Sequence, residues 1–146
     1  MNAKPTSDLP EPDRRFLDNF EACRIHAAQF AHREHLRVAY TYLSLHPFEE
    51  ALDRMESGLL RLLAHLGAPP AKYHRTLTQS WLLAVRHFMD TAGPTTSFEQ
   101  FLETGGSLLD QEIMGTHYTP DLLWSEEARC KFVEPDLLPI PPPRPR

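Results

Sequence analysis

Apolar side chains in the first third of the chain recur close to the 3.6-residue period of a helix. One stripe runs through Leu17, Glu21, Ile25, Ala28, His32, His35, Leu36, Ala39, Tyr42 and Leu43. A second set, Phe16, Phe20, Cys23, Ala27, Phe30 and Val38, widens the apolar face. The pattern predicts one helix from residue 13 to about 45, capped by Asp13 and covered by neighbours on two sides. His46-Pro47 ends it, because a residue before proline avoids the helical region.

Pro47 then opens a second helix with Phe48, Leu52, Met55, Leu59, Leu62, Leu63 and Leu66 on its buried side. Gly67 suits its C-terminal cap, and Pro69-Pro70 blocks continuation. Gly58 inside this helix predicts either a close helix contact or a kink. A third helix is expected over residues 71–91, with His74, Leu77, Thr78, Trp81, Leu82, Val85, Phe88 and Met89 facing the core and Gly93-Pro94 ending it. Shorter elements come after it. Ser97 and Gln100 have capping-box spacing for a helix over 98–103, Thr119-Pro120 starts a turn through Leu123, and Ser125 caps a last helix to Val133.

No strand alternation and no internal repeat are present, so the expected fold class is all-α. The expected architecture is a small bundle of three long antiparallel helices closed by short C-terminal helices. Residues 1–12, with Pro5, Pro10 and Pro12, read as a flexible arm, and 13–134 as a single helical domain. Residues 135–146 read as an extended Pro-rich tail of polyproline II type. This tail fits an aromatic-groove ligand, or a disordered or surface-hugging segment.

Composition narrows the function classes. With 146 residues the chain supports one domain and one sizeable core, and 41% hydrophobic with 24% charged residues is an ordinary globular balance. A net charge of -5 leaves no basic excess for phosphates, so nucleic acid is not an expected partner. The N-terminus shows no apolar run, so no signal peptide is expected, and no stretch reaches the roughly 20 apolar residues of a membrane span. These features lead to the expectation of a bacterial-type cytoplasmic setting, with Cys23 and Cys130 as reduced thiols.

The 8 histidines change the picture most. His32 and His35, three residues apart, share a helix face, and His74 lies on the core stripe of the third helix. Three imidazoles from two packed helices would meet inside the bundle, as metal sites in helical bundles do. Imidazole suits a divalent transition metal, here Fe, Zn or Cu. Glu21, Glu56 and His117 are possible extra ligands. Neither HExxH nor Glu-x-x-His is present, since the chain reads His32-Arg-Glu-His35. GxSxG, P-loop and dinucleotide glycine motifs are absent, which removes support for those chemistries.

The leading expectation is a metal-binding bundle whose His-rich site acts on a small molecule, as a metal-dependent oxidoreductase or hydrolase. Tyr42, Tyr73, Thr78 and Trp81 would line its pocket. Two alternatives stand beside it. In one, the histidines are core or pocket residues of a non-enzymatic accessory module that dimerises or binds a partner protein. In the other, the bundle holds a haem or organic-ligand pocket, with a buried histidine as axial ligand in the haem case.

Overall fold

The computed structural model describes residues 9–144, and these are all-α, with no strand among the described residues. Seven α-helices occur in order: α1 (Glu11–Glu21), α2 (His32–Leu45), α3 (Phe48–His65), α4 (Arg75–Ala92), α5 (Phe98–Gly105), α6 (Pro120–Leu123) and α7 (Glu126–Cys130). Short 3₁₀ turns at Ala27–Gln29, Pro70–Lys72, Gly106–Leu109 and Gln111–Thr116 connect them. Most of the expected N-terminal arm, residues 1–8, lies outside the described residues. Its last part belongs to the body, since Leu9 is buried and Glu11 already begins α1.

The helix expected over 13–45 is two helices. Cys23 sits in the left-handed region (φ 58) immediately after α1. Its amide donates to the Phe20 carbonyl (3.1 Å), and the Arg24 amide donates to the Asn19 carbonyl (2.8 Å). These two bonds make a Schellman ending, with cysteine where glycine is usual. Arg24 Nε also donates to Asn19 Oδ1 (3.1 Å), so a polar pair takes the place of the usual apolar contact. α3 ends the same way at Gly67 (φ 76), with Gly67 N donating to Ala64 O (3.1 Å) and Ala68 N to Leu63 O (2.9 Å). The apolar pattern runs through the α1–α2 break because Cys23, Ile25 and Phe30 still pack on the core, from a loop rather than from a helix face.

Asp13 does not cap its own helix. It lies inside α1, whose N-cap is Pro10, and its carboxylate is buried. That carboxylate accepts from Arg37 Nε (3.1 Å), Arg37 Nη2 (2.9 Å) and the Phe98 amide (3.0 Å). One buried acid therefore ties α1 to α2 and satisfies a free amide at the start of α5.

α2 is central. Leu36, Val38, Ala39, Tyr40, Tyr42, Leu43 and Leu45 are all buried, and the helix packs against α1, α3, α4 and α5. Gly58 lets α1 and α3 approach closely, since a Cβ there would lie 2.7 Å from Phe20 Cζ. The short C-terminal helices start where their caps predict. Ser97 Oγ accepts from Gln100 N (3.1 Å), Thr119 Oγ1 from Leu122 N (3.4 Å) and Ser125 Oγ from Ala128 N (3.1 Å). The Gln100 side chain reaches Thr96 N (2.7 Å), one residue before the capping-box position. α7 stops at Cys130, short of Val133.

Residues 131–144 form no helix and lie along the body. Leu137 N donates to His117 O (3.0 Å), and Arg144 N to Asp90 Oδ2 on α4 (2.9 Å). Pro145 and Arg146 lie outside the described residues. No helix among the described residues is long and apolar enough to cross a membrane.

Candidate functional site

α2, α3 and α4 pack on one another and leave a cavity of about 670 Å³, partly open to solvent. The stripe of α3 supplies an aliphatic wall of Met55, Leu59, Leu62, Leu63 and Leu66. The α1–α2 loop adds Ala27, Phe30 and Ala31, and the first turn of α2 adds His32 and His35. Tyr73, His74, Leu77, Thr78 and Trp81 close it from the start of α4. Lys72 is the one charged side chain among the described lining residues, and Gln111 adds a neutral polar group.

Six of the sequence-predicted residues therefore share one cavity: His32, His35, His74, Tyr73, Thr78 and Trp81. The His32 ring meets Trp81 edge-on at 4.5 Å, and the His35 ring lies 4.4 Å from Phe30. Tyr42 is elsewhere. It lines a separate cavity of about 550 Å³ with Glu21, Glu50, Asp53, Arg54, Ser57 and Arg61.

The imidazoles are engaged by backbone. His32 Nε2 donates to Leu108 O (2.8 Å) and His35 Nδ1 to Ala31 O (3.0 Å). His74 is the N-cap of α4, not a residue of its interior. Its Nδ1 accepts from Leu77 N (3.1 Å) while Nε2 donates to Leu123 O (2.7 Å). Both nitrogens of His74 are thus in use, in a pattern only the neutral ring can make. Burial holds both His35 and His74 below the ordinary imidazole range, because the charged ring loses solvation there.

Among the described residues, no group of three or more His, Cys, Asp or Glu side chains is arranged to hold a metal ion. The possible extra ligands have partners of their own. Glu21 accepts from Tyr42 Oη (2.6 Å), Glu56 from Arg75 Nη1 (2.7 Å), and His117 Nδ1 donates to Leu138 O (2.7 Å).

Tyr73 is the exception on the cavity wall. Its hydroxyl is buried and makes no hydrogen bond among the described residues. Burial pushes its ionisation up to about 12; the neighbouring Thr78 hydroxyl and Arg75 oppose the rise, and the nearby Glu56 carboxylate adds to it. Thr78 itself donates to His74 O (3.0 Å). Tyr73 is thus a neutral donor lacking an acceptor, a state that costs about 1–3 kcal/mol until something supplies one.

Sequence reasoning assigned the aliphatic wall of α3 to core, and it did not find Phe30, Ala31, Lys72 or Gln111. The only signal for Phe30 is its place in the second apolar set, which carries no mark of the loop, and Ala31 stands in neither set. No protein-family model, curated protein or solved structure matches the chain.

Proposed function

We propose that this chain binds a mainly apolar organic molecule in the cavity between α2, α3 and α4. The observation that carries the reading is Tyr73, a buried hydroxyl without a partner on a wall built mostly of leucine and aromatic side chains. The cavity lies within the range of roughly 300–1,000 Å³ typical of small-molecule sites, with few polar groups among many apolar ones. A ligand there gains roughly 25 cal/mol for each Å² of apolar surface it buries.

The reading takes the three long helices as antiparallel, which the short His46-Pro47 connection supports, and the chain as one domain. It also takes the setting as cytoplasmic, in keeping with two free cysteines. Equilibrium dialysis with naphthalene as probe tests it. Saturable binding at one site, lost in Leu63→Trp because the larger ring fills the cavity, is the expected result. Absence of saturable binding, or binding untouched by Leu63→Trp, contradicts it.

A second reading keeps the transition metal. His32, His35 and His74 do line one cavity, and His32 Nδ1 and His35 Nε2 make no hydrogen bond among the described residues. Ligation by His74 would require it to leave either Leu77 or Leu123. This reading predicts about one equivalent of iron, zinc or copper in protein purified without a nickel column, lost in His32→Ala. Metal below about a tenth of an equivalent contradicts it.

A further inference from the structure

The polar groups on the cavity wall, taken together with the proposed binding role on which they depend, define the chemistry of the ligand. We infer that the ligand is electrically neutral and carries a hydrogen-bond acceptor for Tyr73 Oη and a donor for His35 Nε2. A hydroxylated or carbonyl-bearing ring compound has this chemistry, and a carboxylate or phosphate does not.

Three observations carry the inference. Tyr73 Oη is buried on the cavity wall with its proton uncommitted, so the complementary ligand atom is an oxygen or nitrogen lone pair. His35 Nδ1 donates to Ala31 O, which fixes that tautomer and leaves Nε2 as a lone-pair acceptor. Phe30, with its ring 4.4 Å away, helps hold the imidazole in place. The third observation is electrostatic. The lining offers no arginine and no carboxylate among the described residues, the Glu56–Arg75 pair near Tyr73 is satisfied within itself (2.7 Å), and Lys72 is solvent-exposed in the turn before α4. A charged group drawn inside would lose its hydration with no buried counter-ion to replace it, which costs several kcal/mol. A neutral hydroxyl or carbonyl meets the two open hydrogen-bonding positions at no such cost. Trp81 and the α3 leucines take the apolar body of the molecule.

Three probes of one ring system separate the possibilities: naphthalene, 2-naphthol and 2-naphthoate. Each is titrated into the wild type and into Tyr73→Phe and His35→Phe. In the wild type, 2-naphthol binds about tenfold more tightly than naphthalene, and 2-naphthoate more weakly than either, as expected when one or two neutral hydrogen bonds decide the difference. In Tyr73→Phe the advantage of 2-naphthol over naphthalene shrinks to about threefold or less. His35→Phe reduces the same advantage. Equal binding of naphthalene and 2-naphthol, tighter binding of 2-naphthoate, or a Tyr73→Phe protein that keeps the full gap overturns the inference and leaves the binding role standing. Failure of all three probes to bind overturns the binding role and this inference together.

Discussion

Tyr42 is buried and Tyr73 half-buried, and each lines a cavity. Tyr42 donates to Glu21 at 2.6 Å, and the walls around it are paired further, Arg54 with Glu50 and Arg61 with the Glu21 carbonyl. Burial, followed by the bond to Glu21, lifts Tyr42 ionisation far above the ordinary tyrosine range. Tyr73 has a buried hydroxyl and no hydrogen bond among the described residues. The polar groups around Tyr42 complete one another and hold α1 against α2. Those around Tyr73 leave one hydroxyl and one imidazole nitrogen open inside an apolar wall. Buried polar groups in folded proteins are nearly always satisfied, so the open Tyr73 hydroxyl beside a cavity is what supports the proposed ligand site.

If satisfied polar groups carry the fold and open ones carry binding, substitutions sort by size. The largest loss belongs to Asp13→Ala. It leaves the Arg37 guanidinium and the Phe98 amide without their acceptor, and urea unfolding should show a loss of about 3 kcal/mol or more. Tyr42→Phe comes next, at about 1–2 kcal/mol, since it removes one charge-assisted hydrogen bond.

The third effect is pH-dependent. The folded protein lowers the affinity of His74 for protons relative to the unfolded chain, whose histidine titrates near 6.5. The unfolded state therefore takes up more protons below that point. The stability His74 contributes is present above pH 6.5 and is lost as the pH falls below it. Unfolding measured between about pH 7.5 and 5.5 should show this fall, and His74→Asn, which can still cap α4, should make it shallower. Burial lowers His35 and His46 in the same way, so part of the slope remains.

The smallest loss belongs to Tyr73→Phe, which removes no hydrogen bond and relieves a buried hydroxyl without a partner, so stability stays level or rises, by up to about 1–3 kcal/mol. A loss as large as that of Tyr42→Phe would erase the contrast between the two tyrosines.

Much of this was legible where backbone chemistry leaves a residue signature. Pro47, Gly67 and Gly93 mark helix ends in the sequence, and Ser97, Thr119 and Ser125 mark starts. The α1 ending was not legible, because Cys23 occupies the left-handed position that glycine fills at Gly67, and the apolar residues after it keep a helical period from a loop. Periodicity set His32, His35, Thr78 and Trp81 on inward faces, and with Tyr73 they line one cavity. It cannot say which neighbour each inward face meets, so it groups Tyr42, on the side of α2 facing α1, with Tyr73, Thr78 and Trp81 at α4. Nor does periodicity report hydrogen bonds. His74 reads as an interior helix residue in the sequence, whereas the Pro70–Lys72 turn delays α4 and makes His74 its cap, with both ring nitrogens occupied.

Methyl NMR on protein labelled at leucine and methionine, titrated with 2-naphthol, tests the central claim most directly. Saturable shifts should concentrate on Met55, Leu59, Leu62, Leu63, Leu66 and Leu77, which line the cavity, and leave Leu43, Leu45 and Leu52 in the core unmoved. Shifts confined to the exposed Leu109, Leu137 and Leu138, or no saturable shift at all, would contradict a ligand-binding cavity between α2, α3 and α4.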